Sequence, residues 1–313
     1  MNNRDKSSKA GIDDVKQWFE RGLAHGQDGN IKAAIEAFKK VVSLDPSEIE
    51  AWINLALAYG MNGNTGEEIK SYKKALELSP SNAELWINLG VAYGQNNNSE
   101  LEIDAYKEAL KLDPSSIDAL YNLGVTLSKT EEYDEAVGFL RKALDLDPND
   151  SEIWNNLGRA LGFSGNTEEA IRAFENAVEL DEKNELGWFN LGLLLLDEDQ
   201  IDRAVECFKK AIEIDPEFSN AIFGLGFAYE NSDNFNEALE AYKKVLALEP
   251  EDVETLLHLS IIYQKKGVFK EALNALEKAV SIDKEYVLFL DEDEEILKDL
   301  KDLPGFEEIF EKS

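Results

Sequence analysis

Residues 83–116 read AELWINLGVAYGQNNNSELEIDAYKEALKLDPSS, and their large, small and turn-forming residues recur every 34 positions along the chain. Outward from Pro114, prolines fall on the same grid at Pro46, Pro80, Pro148, Pro216 and Pro250, with Glu182 and Lys284 at the two grid points that lack one. Proline disfavours helix at the residue before it, so each grid point ends one helix and resets the chain. Outward from Trp86, all five tryptophans share one column with Trp18, Trp52, Trp154 and Trp188, and Leu120, Ile222 and Leu256 fill its other places. Four residues later stands a small side chain, such as Gly90, Gly124 or Ala56, which lets two helices approach closely. A column that is mostly alanine (Ala34, Ala136, Ala170) and one of rings or leucine (Phe38, Tyr72, Tyr106, Leu140) supply the core of a second helix.

Each unit thus carries two apolar stripes at helical spacing, separated by a short polar break such as Met61-Asn62-Gly63-Asn64 or Phe163-Ser164-Gly165-Asn166. That pattern is a helical hairpin. A hairpin this small cannot bury its own apolar faces, so neighbours must stack, and stability becomes a sum over units and interfaces. The spacing predicts an all-α solenoid of eight units over 15–48, 49–82, 83–116, 117–150, 151–184, 185–218, 219–252 and 253–286. A disordered or short lead-in is expected over 1–14, and capping helices over 287–313.

Trp-x-x-Leu-Gly in the first helix, alanine then an aromatic in the second, and a proline closing each unit make the chain resemble the tetratricopeptide repeat. The resemblance implies a right-handed superhelix of stacked helix-turn-helix units, with a concave face lined by the first helix of each. It implies protein binding and leaves the partner open, because one fold hosts many partners.

Departures from the pattern are expected at the ends. Arg21 and His25 stand where later units have Leu55 and Tyr59, as in a terminal unit whose outer face meets water. Glu292 to Lys301 and Pro304 to Lys312 lie off the grid and read as helices covering the last hairpin, with Pro304 suited to a helix start. Glu68 and Glu102 replace the alanine of a close helix contact, which predicts local loosening there or a carboxylate turned outward.

Composition narrows the function. The 313 residues are 43% hydrophobic and carry a formal net charge of −32, so the chain has apolar surface for a core and is ill suited to a phosphate backbone. Nucleic acid is not expected as a partner. The polar start, Met1 to Gly11, has no hydrophobic signal core, no apolar run is long enough to span a bilayer, and the single cysteine, Cys207, cannot form an internal disulfide. A cytoplasmic protein without membrane insertion is expected.

When the residues needed for packing are set aside, each first helix keeps a narrow face that should line the groove. It carries Ile53 and Leu57, Ile87 and Val91, Tyr121 and Val125, Phe189 and Leu193, Phe223 and Phe227. Asn155 and Arg159 interrupt this apolar stripe and predict a bipartite site, in which a polar or acidic group of a client meets Arg159. Beside the stripe runs an amide column in five consecutive units, Asn54, Asn88, Asn122, Asn156 and Asn190. Amides spaced by packed helices, roughly 8–10 Å apart, match about three residues of an extended peptide. The column resembles the asparagine ladder with which one family member, the nucleocytoplasmic N-acetylglucosamine transferase, holds extended peptides, and asparagine is also common at this place in the family generally. An acidic column of Glu50, Glu84, Asp118 and Glu152 flanks it and favours cationic or neutral clients, although the helix dipole alone favours carboxylates at a helix start. Members that clamp the carboxylate terminus of heat-shock chaperones use lysine and arginine where this chain has Ile53, Ile87, Glu84 and Asp118, so that role is not expected.

Convergent catalytic groups are lacking. The two histidines, His25 and His258, stand far apart in the array, Cys207 has no histidine near it in sequence, and the glycines do not form a phosphate-binding loop. Neither enzymatic activity nor any cofactor or metal is expected. The reading is a protein-protein interaction scaffold or chaperone-like adaptor that binds an extended, partly hydrophobic segment of a client in the concave groove. Its partners are expected to be hydrophobic or basic protein segments, and self-association is open. The alternative is a regulatory or targeting subunit of a multiprotein enzyme complex, binding a folded partner through the convex face or the termini.

Overall fold

The computed structural model describes residues 3–294, 300–301 and 305–312, all of whose regular elements are helical. Eight hairpins follow one another: α1 (Asn3–Gln27) with α2 (Ile31–Leu44), α3 (Ile49–Met61) with α4 (Thr65–Leu78), α5 (Ala83–Gln95) with α6 (Ser99–Leu112), α7 (Ile117–Lys129) with α8 (Tyr133–Leu146). Then come α9 (Ser151–Phe163) and α10 (Thr167–Leu180), α11 (Glu185–Asp197) with α12 (Ile201–Ile214), α13 (Ser219–Asn231) with α14 (Phe235–Leu248), and α15 (Val253–Lys265) with α16 (Phe269–Ile282). Two further helices close the chain, α17 (Lys284–Glu294) and α18 (Phe306–Lys312). The fold is an all-α solenoid, and the chain divides into two compact units, Met1–Ser164 and Gly165–Ser313.

The lead-in expected over 1–14 is helical from Asn3 onwards. No proline separates it from the Trp18 stripe, so nothing stops the first helix from extending backwards.

The turn chemistry repeats as strictly as the core. One grid position, just after the first helix of each hairpin, takes a positive φ in all eight repeats: glycine at Gly29, Gly63, Gly165 and Gly267, and Asn97, Glu131, Asp199 and Asp233 elsewhere. Asn64 and Asn98 then cap the second helix, their side chains accepting from the backbone N–H of Glu67 and Leu101. Between hairpins, Asp45 accepts from the Ser47 amide at 3.0 Å and hydroxyl at 2.6 Å, and Asp113 repeats this with Ser115. The five tryptophans are half-buried rather than enclosed, and four turn the indole edge to the loop: Trp52 Nε1 donates to the Pro46 carbonyl at 2.9 Å, and Trp86, Trp154 and Trp188 donate to the carbonyls of Pro80, Pro148 and Glu182.

Within each compact unit a second helix packs against its own first helix and against the one that follows. Ile69, Tyr72, Ala75 and Leu76 of α4 share a core with Leu85, Leu89 and Tyr93 of α5. In the second compact unit, Phe208 of α12 is buried with Leu191 and Leu195 of α11 and Ala228 of α13. The small column permits this closeness: a Cβ on Gly90 would stand 2.5 Å from the Tyr106 ring.

At the start Arg21 is exposed, its guanidinium 4.4 Å from the Trp18 ring centre. At the end α17 and α18 pack on α16, and Val287, Leu300 and Ile309 are buried in one cluster with Leu276 and Val280. Pro304, expected to open a helix, lies outside the described residues, as do 295–299. Glu68 is buried rather than turned outward, and Glu102 is half-buried. Glycines opposite them make the room: a Cβ on Gly60 would come within 2.8 Å of Glu68, and one on Gly94 within 2.7 Å of Glu102.

Candidate functional site

In the first compact unit, α3, α5, α7 and α9 carry the predicted stripe. Leu57 is 47% exposed and Val91 39%, large values for aliphatic side chains on ordered helices, while Ile53, Ile87, Tyr121 and Val125 are half-buried beside them. Asn155 is half-buried and Arg159 exposed. In the second unit Leu193 is exposed, and Phe189, Phe223 and Phe227 are half-buried. The next two places on the stripe are closed, Leu257 at 0% and Ile261 at 6% exposure, in the same cluster as Leu300, Phe306, Ile309 and Phe310. The C-terminal segment therefore covers the stripe in the last hairpin.

The five asparagines are all half-buried. Asn54 Nδ2 donates to the Glu50 carbonyl at 2.7 Å, and Asn156 Nδ2 to the Glu152 carbonyl at 3.0 Å, so both amides are steadied on their own helices with the carbonyl oxygen remaining. Asn156 also donates to the Tyr121 hydroxyl at 3.2 Å, and that hydroxyl donates to Glu152 at 2.5 Å. Stripe, amide column and acidic column are thus joined across adjacent hairpins, and burial together with the Glu152 carboxylate raises the Tyr121 pKa.

Three carboxylates lie beneath this face. Glu102 accepts from the Thr126 hydroxyl at 2.8 Å. Glu230 is buried and accepts from Tyr242 at 2.9 Å, with His258 Nδ1 at 2.9 Å from the same oxygen. The rings of Phe223 and Phe227 stand nearly perpendicular to that of His258, each at 5.4 Å between ring centres. Glu68 is buried, and its Oε2 has no hydrogen-bond partner. The reading by columns missed this floor. Its signal was a reciprocity between two positions eight residues apart: glycine faces glutamate in Gly60 with Glu68 and Gly94 with Glu102, whereas Glu230 faces Ala238.

Elsewhere, a cavity of about 500 Å³ is lined by Trp188, Arg203, Glu175 and Cys207, with Arg203 paired to Glu175 at 2.6 Å. Burial pushes the Cys207 thiol up to about 11, which makes it a poor nucleophile. Among the described residues there is no group of three or more potential metal ligands, and no helix long and apolar enough to cross a membrane.

The class these features define is a protein-interaction scaffold of stacked helical hairpins. Models of the tetratricopeptide repeat match residues 22–63 and 67–97, 83–116, 117–150 and 186–218, 139–172 and 207–240, and 232–287. The chain belongs to the tetratricopeptide repeat family, whose members are generally non-catalytic scaffolds. No curated protein matches it in sequence. Among solved structures it is similar to MamA, 29% identical over 54% of this chain and 93% of that one, with a TM-score of 0.52. It is also similar to YrrB, described as a TPR protein with an unusual peptide-binding site, 28% identical over 60% of this chain and 97% of that one, TM-score 0.52. A repeat protein of Cytophaga hutchinsonii shares the fold at 16% identity over 76% of this chain and 97% of that one, TM-score 0.64.

Proposed function

We propose that the chain is a cytoplasmic adaptor that holds an extended, partly hydrophobic segment of a client protein on its first-helix face. The observation that carries this reading is the exposure of Leu57 and Val91, aligned on successive hairpins and bordered by half-buried amides. Amides of Asn54, Asn88, Asn122 and Asn156 hold the client backbone, Ile53, Ile87 and Tyr121 border its side chains, and the acidic column Glu50, Glu84, Asp118 and Glu152 disfavours anionic clients. The likeness to YrrB, itself described by a peptide-binding site, supports a peptide as the ligand class.

The test is affinity capture from native lysate with mass-spectrometric identification, using the wild type and a Leu57→Glu, Val91→Glu variant of equal helicity. Partners should be lost from the variant. Partners retained equally by both proteins would move the interaction to another surface and overturn the reading.

A further inference from the structure

Glu68 is only 6% exposed, yet its Oε2 is without a partner. Leaving such an oxygen unpaired costs free energy that one donor would restore. Its position relative to the face is defined by a missing side chain. A Cβ on Gly60 would meet Oε1, Cδ and Oε2 of Glu68 at 2.8–2.9 Å, so the carboxylate fills the space into which position 60 projects. Position 60 follows Ile53 by seven residues and Leu57 by three, which puts it on the same side of α3 as the open stripe.

The surroundings are acidic. Glu68 and Tyr72 stand one turn apart on α4, as do Glu84 and Asn88 on α5. The Tyr72 phenol lies within the field of both glutamates, and its burial together with those two charges pushes it up to about 12. The Asn88 amide makes no hydrogen bond among the described residues.

The other repeats show what normally occupies this place. One repeat on, Glu102 receives the Thr126 hydroxyl, whereas Ala92 stands at the matching position beside Glu68 and offers no donor. Five repeats on, the carboxylate of Glu230 occupies the grid position of Gly60 and, beside the Tyr242 hydroxyl, meets Nδ1 of His258, on the grid position of Asn88. In both repeats the next first helix brings a polar group to the carboxylate, a hydroxyl at Glu102 and an imidazole at Glu230. At Glu68 it supplies none.

We propose that Glu68 and Asn88 form a seat for one basic side chain of the client, a lysine ammonium or arginine guanidinium whose aliphatic stem lies along Leu57 and Val91. The cation pairs with the Glu68 carboxylate, the Asn88 carbonyl oxygen accepts a second hydrogen bond, and Glu84 adds attraction at the rim. An acidic residue at that place in a client is repelled by both glutamates. The inference rests on the first-helix face being the client site.

A displayed library of random twelve-residue peptides, selected against the full chain at physiological salt, tests it. Binders that the Leu57→Glu, Val91→Glu variant releases should share a lysine or arginine at one fixed place, and Glu68→Gln should weaken them about tenfold. A peptide with glutamine at that place should bind wild type and Glu68→Gln alike. On the wild type, adding a selected peptide should shift the carboxyl carbon resonance of Glu68, a readout that needs no variant. Face-dependent binders with no fixed basic residue, or with one that is indifferent to Glu68→Gln and leaves the Glu68 resonance in place, overturn the seat while the face stands. Absence of any face-dependent binder overturns the face, and the seat with it.

Discussion

Glu68 stands where Ala34, Ala136, Ala170, Ala204, Ala238 and Ala272 stand in other repeats, and the chain carries an unpaired buried oxygen as a result. Desolvation raises its pKa, so the folded state holds the proton more tightly than the unfolded chain does. The sign follows from that. The penalty is absent below the ordinary carboxylate range and grows as pH rises through the raised folded value. Glu68→Ala should therefore stabilise the protein by about 1 kcal/mol at pH 7, and the gain should vanish as the pH falls to about 4; urea denaturation across that range measures it. The same pairing of alanine with glycine at these two grid positions occurs at Ala34 and Gly26. A second residue-scale strain sits at Glu131, whose φ of 66° lies in the column where four other repeats have glycine. Glu131→Gly should stabilise by about 1 kcal/mol, since a left-handed conformation costs an L residue roughly that much; an unchanged urea midpoint would contradict it.

Close helix contacts and, in four repeats, an indole bond to the preceding loop hold neighbouring helices together. Gly90→Ala forces a Cβ to within 2.5 Å of the Tyr106 ring in a packed hairpin, and should destabilise by about 2 kcal/mol by denaturant unfolding. Trp52→Phe shrinks the ring and loses the 2.9 Å bond to the Pro46 carbonyl, with an expected cost of at least about 1 kcal/mol. Lysines show the same coupling between neighbouring elements. Lys73 of α4 lies 5.4 Å from the Tyr93 ring of α5 and Lys39 of α2 lies 5.7 Å from Tyr59 of α3, whereas Leu127 and Leu161 replace the tyrosine in the following repeats.

A solenoid distributes stability locally, because each hairpin touches only its neighbours. Hydrogen exchange in Gly90→Ala should accordingly rise in α4 to α7 and stay unchanged in α13 and α14; a uniform rise would show global cooperativity instead. The C-terminal segment is the long-range exception within its own compact unit. Ile309→Asp should release the cluster that holds Leu300 and Phe306, expose Leu257 and Ile261, and raise the binding of a hydrophobic dye without removing the helices before α15.

The sequence by itself determined the hairpin, its period and its core, because a unit repeated many times must place the same residue types at the same contacts, and Pro114, Trp86 and Gly90 announce those contacts locally. It also placed Asn88 beside Val91 on α5 and Leu57 at the equivalent place on α3, since helical spacing and the 34-residue period settle that. Which of those places stay open was decided only in three dimensions. Leu257 and Ile261 match the exposed stripe in sequence, yet they are buried with Leu300 and Ile309, more than 38 positions further along. The partner of a floor carboxylate was equally out of reach: Glu102 finds Thr126 and Glu230 finds His258 on the next hairpin, while Glu68 meets Ala92's position and finds none. Periodicity fixes which contacts repeat; burial and hydrogen-bond satisfaction depend on what the neighbouring chain brings to each one.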